Sequence, residues 1–307
     1  MLLVLNSALV CVNTAFWSVL ICCLALLKLL LPIPAWQRVV SKACNGFMWA
    51  WATLNYKLLM LTSDVEWDVE GGEGLNKEGW YLLISNHLSW TDIVVIFSVF
   101  RNRIPMAKFF LKQQLLYVPF LGLACWAVDM PFMKRYSRQY LIKHPEKRGC
   151  DLETTRKSCT RFRHTPTTVV NFVEGTRFTD EKQKQTRSPF NHLLAPKTGG
   201  IAYTLGAMGE QFDAIINVTV AYPENRTLPF KDLLSGRMKK VVVRVHTLPV
   251  DEKVTGDYFN DKVFKRHFHQ WLTSVWEEKD RELEAIYAKS PAMLSGKVPE
   301  QSSVRTQ

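Results

Sequence analysis

Residues 1–27 carry no charged side chain, and the apolar character runs on through Lys28 to Leu31. About 20 apolar residues suffice to cross a bilayer, so this stretch predicts a membrane-associated helix. It has no basic residue before it and is too long for a leader's apolar core, and so reads as a retained anchor. A second apolar segment, FMWAWATLNYKLLML (47–61), is shorter and is interrupted by Asn55 and Lys57. Trp36, Trp49, Trp51 and Tyr56 suit either a helix lying in the membrane interface or packing against a soluble body. Arg38 and Lys42 lie between the two segments. If both segments crossed, these cations would sit outside, against the positive-inside tendency. If only the first crosses, or if both dip into one leaflet, everything from the linker onward is cytoplasmic, which is the expected placement.

From Asp64 the pattern changes to apolar runs alternating with amphipathic stretches. WYLLIS (80–85), RIPMAKF, CWAVDMPF, TTVVNFV (167–173), AIINVTVAY (214–222) and KKVVVRVHTL (239–248) read as strands. TDIVVIFSVF, KQQLLYVPFLG and IAYTLGAMG read as helices. Val263, Phe264, Phe268, Trp271, Leu272, Val275 and Trp276 recur at helical spacing and predict a late amphipathic helix. Interleaving of this kind predicts an α/β fold: a mixed, largely parallel central sheet flanked by helices, preceded by the N-terminal membrane-associated segment. The organisation expected is a two-helix membrane segment over 1–62, one domain over 63–289, and a polar, disordered tail over 290–307.

Charge narrows the partners. Lys plus Arg number 39 against 28 Asp plus Glu, a net charge of +11 that favours anionic partners. Ten of the basic residues lie between Lys134 and Arg163. Anionic lipid, nucleotide phosphate or a solvated basic face would each suit that run. Nucleic acid fits poorly, because the aromatic residues cluster in apolar segments rather than among the cations. The seven cysteines form no C-x-x-C pair and fit a reducing compartment. No metal motif occurs; His267 and His269, two apart, do not share a helix face.

Four stretches carry candidate chemistry. In NHLSWTD (86–92) a strand ends and a helix begins, and such junctions sit at the sheet edge where clefts of α/β folds form. His87 can accept a proton near neutral pH, and a carboxylate on its other nitrogen fixes tautomer and orientation. Within one regular helix His87 and Asp92 would point about 140° apart, so they pair only if His87 precedes the helix and Asp92 lies in its first turn. Ser89 and Asp92 fit the S-x-x-D capping box that would provide this geometry. In FVEGTRF, Gly175 permits a tight turn, Arg177 can grip a phosphate, and Glu174 can orient Arg177 or bind a hydroxyl. Lys112 and Lys197 are further anion candidates, the latter just before a helix N-terminus.

Taken in order, NHLSWTD, KQQLLYVPFLG, FVEGTRF and VTVAYP resemble the four sequence blocks of the glycerolipid acyltransferases, whose type is the 1-acylglycerol-3-phosphate acyltransferase PlsC. LLAPKTGG resembles the branch with lysocardiolipin acyltransferases. The resemblance covers roughly residues 30–290, with valine where many members have proline in FPEGTR. It implies His87 as general base and Asp92 as its orienter. It also implies that Glu174, Gly175 and Arg177 bind the acceptor's phosphate and glycerol, with Lys112 assisting. It further implies a lysophospholipid acceptor, an acyl-CoA or acyl carrier protein thioester as donor, no cofactor, and a place on the bacterial inner membrane facing the cytoplasm. Backbone donors at the strand–helix junction are expected to hold the oxyanion.

Overall fold

The computed structural model describes residues 1–31, 33–119, 121–133, 140, 143–144, 159, 162 and 165–289. The basic run from Lys134 to Arg163 lies almost wholly outside the described residues, and the tail 290–307 lies outside them entirely.

Two long helices open the chain, α1 (Leu2–Leu30) and α2 (Pro34–Met60). At 1.5 Å per residue, 29 residues span roughly 43 Å. Among the described residues, α1 is the one helix long and apolar enough to cross a membrane. Its outer face bears exposed Val4, Val12, Phe16, Leu26 and Leu30. Polar groups fasten its inner face: Trp51 Nε1 donates to Thr14 Oγ1 at 3.0 Å, and Asn13 Nδ2 to the Trp51 carbonyl at 3.1 Å. The second helix begins well before the apolar segment 47–61, because Pro34 at its first turn gives up only an N–H that has no helical partner there.

The body is built on β1 (Glu66–Gly71), β2 (Tyr81–Ser85), β3 (Ala107–Phe109), β6 (Thr168–Phe172), β7 (Ala214–Ala221) and β8 (Lys240–Leu248), in the order β1-β8-β7-β2-β6-β3. Every pairing is parallel except β7 with β8, so the sheet is mixed and largely parallel, as expected. β2 and β7 are buried along their whole length, which accounts for their unbroken apolar runs. Helices α1, α2, α3 (Thr91–Val99) and α4 (Leu121–Ala127) cover one face, over Leu83, Val170, Ile216 and Val243. The other face, with Leu82, Ile84, Val169 and Ile215, is covered by α6 (Thr198–Met208) and α8 (Lys262–Ala288). Two further short helices are α5 (Asp180–Thr186) and α7 (Pro229–Leu234).

Three expectations change. CWAVDMPF is not a strand: Cys125–Ala127 close α4, Asp129 turns the chain at φ +58°, and only Phe132–Met133 (β5) is extended, paired with Leu111–Lys112 (β4). Short apolar runs do not distinguish helix from strand by periodicity. KQQLLYVPFLG is not one helix: after β4 comes a single 3₁₀ turn, Gln113–Tyr117, and Val118 is extended at ψ 119° because Pro119 follows it. The edge strand β1 was not anticipated. Its alternate acids pair across the strand, with Arg244 Nη1 on Asp68 at 2.8 Å and Lys240 Nζ on Glu66 at 2.6 Å. These cations hold the Asp68 carboxyl below its usual range, Arg244 most of all.

Candidate active site

The site begins where β2 ends. Asn86 is fully buried, and its side-chain amide takes the place of a backbone unit against β7: Nδ2 donates to the Val220 carbonyl and Oδ1 accepts the Val220 N–H, both at 2.9 Å. The main chain is thereby released from the sheet one residue before His87. α3 then starts at Thr91, which puts Asp92 in its first turn.

This brings His87 and Asp92 together, with Nδ1 2.7 Å from Oδ2. The carboxylate can only accept, so Nδ1 carries the hydrogen and Nε2 is the nitrogen left for a proton transfer. Asp92 has no solvent exposure. Its Oδ2 also accepts the Leu88 and Ser89 N–H groups at 2.7 and 2.9 Å. Its Oδ1 accepts the Tyr222 hydroxyl at 2.7 Å. The imidazole stacks on Phe172 with centroids 4.0 Å apart and the rings 15° from parallel, so packing as well as hydrogen bonding fixes its plane.

Half of the expected capping box forms. Asp92 accepts the Ser89 N–H, but the Ser89 hydroxyl turns to the Thr91 N–H at 3.3 Å, and the Asp92 N–H goes to the Ser89 carbonyl. The carboxylate, with four donors on it, organises this turn; the serine does not.

Glu174 is placed differently from expectation. It is 1% exposed, and its two oxygens accept the N–H groups of His87 and Leu194, each at 2.9 Å. It therefore braces the backbone of His87 from a position closed to solvent. Burial pushes its carboxyl up to about 8, against the pull of those two N–H groups. The same contacts narrow the expectation for the oxyanion. The N–H groups of His87, Leu88 and Ser89 are all committed, to Glu174 and Asp92, and are not available to hold developing charge.

Gly175 sits at φ +70°, where a side chain is strained, and Lys197 lies against it: a Cβ there would stand 3.1 Å from Lys197 Nζ. Lys197 is also tied to this turn through its N–H, which donates to the Val173 carbonyl, and it caps α6. Arg177 is exposed, with its guanidinium 5.4 Å from the centroid of the Trp90 indole. Lys182 fixes the turn by donating to Thr176 Oγ1 and the Arg177 carbonyl. Arg177 and Lys197 thus flank the turn whose Phe178 N–H donates to the His87 carbonyl. Lys112 is exposed on β4, and among the described residues no hydrogen bond or ion pair joins it to this network. No group of three His, Cys, Asp or Glu side chains among the described residues is placed to hold a metal ion.

An imidazole backed by a buried carboxylate, at the carboxyl edge of a parallel sheet and beside exposed cations, is equipped to deprotonate the hydroxyl of an anionic molecule. Comparison with known proteins gives the class a family: residues 66–222 match the acyltransferase family, and the chain belongs to it. Among curated relatives, lysocardiolipin acyltransferase 1 of Gallus gallus is 25% identical over 85% of this chain and 67% of its own length. The 1-acyl-sn-glycerol-3-phosphate acyltransferase delta of Mus musculus is 26% identical over 59% of this chain and 46% of its own. The chain thus spans between about half and two thirds of these relatives. The crystal structure of the 1-acyl-sn-glycerophosphate (LPA) acyltransferase PlsC from Thermotoga maritima has the same fold. It superposes with a TM-score of 0.54 at 18% identity, covering 94% of this chain and 99% of that one.

Proposed function

We propose that the chain transfers a fatty acyl group from an acyl-CoA or acyl carrier protein thioester to the sn-2 hydroxyl of 1-acylglycerol-3-phosphate, giving phosphatidic acid. The observation that carries this reading is the His87–Asp92 pair at 2.7 Å, with its carboxylate buried and its outer nitrogen uncommitted to Asp92. His87 Nε2 takes the proton of the acceptor hydroxyl as that oxygen attacks the thioester carbonyl. The C–S bond then breaks, and the leaving thiolate takes the proton back from the imidazolium. The acceptor oxygen is itself the nucleophile, so no acyl-enzyme forms. Arg177 and Lys197, on one turn beside the base, are assigned the acceptor's phosphate. The exposed apolar face of α1 seats the protein in the cytoplasmic leaflet of the inner membrane, where its substrates lie.

A second acceptor is favoured by one observation: the relatives named for lysocardiolipin align with more of this chain than those named for 1-acylglycerol-3-phosphate. The test is to incubate the purified protein in lipid vesicles with labelled acyl-CoA or acyl carrier protein and, separately, 1-acylglycerol-3-phosphate, lysophosphatidylglycerol or lysocardiolipin. Preferential labelling of the first supports the primary reading, and preferential labelling of either other acceptor replaces it. Labelling of none, or equal labelling by His87→Ala, defeats acyl transfer through this site.

A further inference from the structure

Tyr222 follows β7 directly, 130 residues after Asp92, and is fully buried. The donors from His87, Leu88 and Ser89 all converge on one oxygen of Asp92, and Tyr222 alone among the four takes the other. The terminal torsion of an aspartate is broad, and donors gathered on one oxygen leave the carboxylate free to rock about them. A fixed donor on the second oxygen removes that freedom. Burial, and the negative charge of Asp92 beside it, hold the Tyr222 phenol protonated and so keep it a donor.

Tyr287, in the last turn of α8, is also buried, and burial pushes its phenol up to about 12. The Tyr287 ring carries the Arg226 guanidinium 4.0 Å from its centroid. The same end of α8 is pinned to the segment after α5, where His192 Nε2 meets Glu284 Oε2 at 2.8 Å and Asp280 accepts the Asn191 and His192 N–H groups.

We propose that Tyr222 is a positioning residue for the acyl-transfer reaction: its hydroxyl locks the rotation of the Asp92 carboxylate so that Oδ2 stays on His87 Nδ1. The inference rests on the reading of His87 as general base. The titratable groups near this carboxylate are His87 from the β2–α3 junction, Glu174 from the turn after β6, and Tyr287 and Lys279 from α8.

Tyr222→Phe keeps the ring and removes only the hydroxyl. Its kcat should fall about 10- to 100-fold, a part of the 10²–10⁴ that a positioned base contributes, with KM for the lysophospholipid unchanged within about twofold. Without the phenol, Asp92 presents a less neutralised charge to the imidazolium, so the acidic limb of the pH–kcat profile should move to higher pH. A purely structural role would lower the melting temperature and leave that limb in place. Tyr222→Leu, which also lacks the hydroxyl, should shift both quantities in the same direction, and it serves if Tyr222→Phe does not fold. With His87→Ala inactive, a folded Tyr222→Phe of wild-type kcat, or one whose limb does not move, overturns the role of Tyr222 alone. If His87→Ala turns over like the wild type, the base assignment fails and this one with it.

Discussion

Asp92 holds His87 through a hydrogen bond of 2.7 Å between two side chains that no single helix could bring together. The imidazole lies on the extended chain leaving β2, and the carboxylate lies in the first turn of α3. The five-residue spacing works because the side chain of Asn86 closes the strand early and Asp92 gathers the N–H groups between the two.

Replacing Asp92 by Asn puts an amide in place of an acceptor-only group that receives four hydrogen bonds. In a steady-state assay kcat should drop by about 10²–10⁴, the range of a positioned general base. His87→Ala should fall at least as far while still floating with vesicles, because α1 is untouched. Wild-type turnover in Asp92→Asn would show the pair to be structural.

Gly175→Ala tests how the cationic turn is supported. Its φ of +70° disfavours any side chain, and the new methyl would meet Lys197 at 3.1 to 3.2 Å. A loss of about 1–2 kcal/mol in denaturant unfolding is expected from the backbone alone. The displaced lysine should raise KM for the phosphorylated acceptor more than it lowers kcat. An unchanged KM would remove Lys197 from the acceptor site.

Glu174 gives a pH test. Its carboxyl is raised by burial from 4.5 to about 8. Between those values the folded chain keeps a proton that the unfolded chain has released, so this group's contribution to stability falls as pH rises through the window. The slope is roughly 1.4 kcal/mol per pH unit for each full proton. Glu174→Gln, which cannot titrate, should flatten that fall in denaturant titrations between pH 5 and 8. It should also lower kcat, since an amide nitrogen replaces one of the acceptors of the His87 and Leu194 N–H groups. A variant with the wild-type pH slope would mean that Glu174 stays ionised throughout.

The parts of this site that could be read from the sequence are the local ones. His87, Asp92 and the Gly175–Arg177 turn lie within short stretches, and their chemistry follows from residue type and spacing. The strands β2, β6, β7 and β8 are legible for the same reason, as apolar or β-branched runs with turns at their ends. Tyr222 was not, although VTVAYP was noticed, because its partner is 130 residues away and only the β2–β7 pairing brings them together. For Glu174 the sequence offers orienting Arg177 or binding a hydroxyl, and the resemblance adds the acceptor; its burial against the Leu194 backbone depends on the fold. The edge strand β1 was hidden by its own solution to exposure, since alternate acids that pair with β8 look like loop.

Lys279 provides the last prediction. It lies on α8 with 1% exposure, donates to the Val218 carbonyl and to Thr219 Oγ1, and packs over Trp276 at 5.3 Å. Burial lowers its ammonium from 10.5 to about 7, with Glu282 and Glu174 pulling the other way. Between those values the unfolded chain binds a proton that the folded chain does not, so stability rises with pH across the window, opposite in sign to Glu174. Lys108, also buried and lowered to about 8, adds a second rise that begins one unit higher. Lys279→Met keeps the length of the stem and removes the charge. Against the wild type it should therefore gain relative stability as pH falls from 10.5 towards 7 and level off below that, losing the part of the rise that starts near pH 7 while keeping the part due to Lys108. Denaturant unfolding at pH 6, 7.5 and 9 separates the two. Parallel pH curves for variant and wild type would show that Lys279 carries its charge equally in both states.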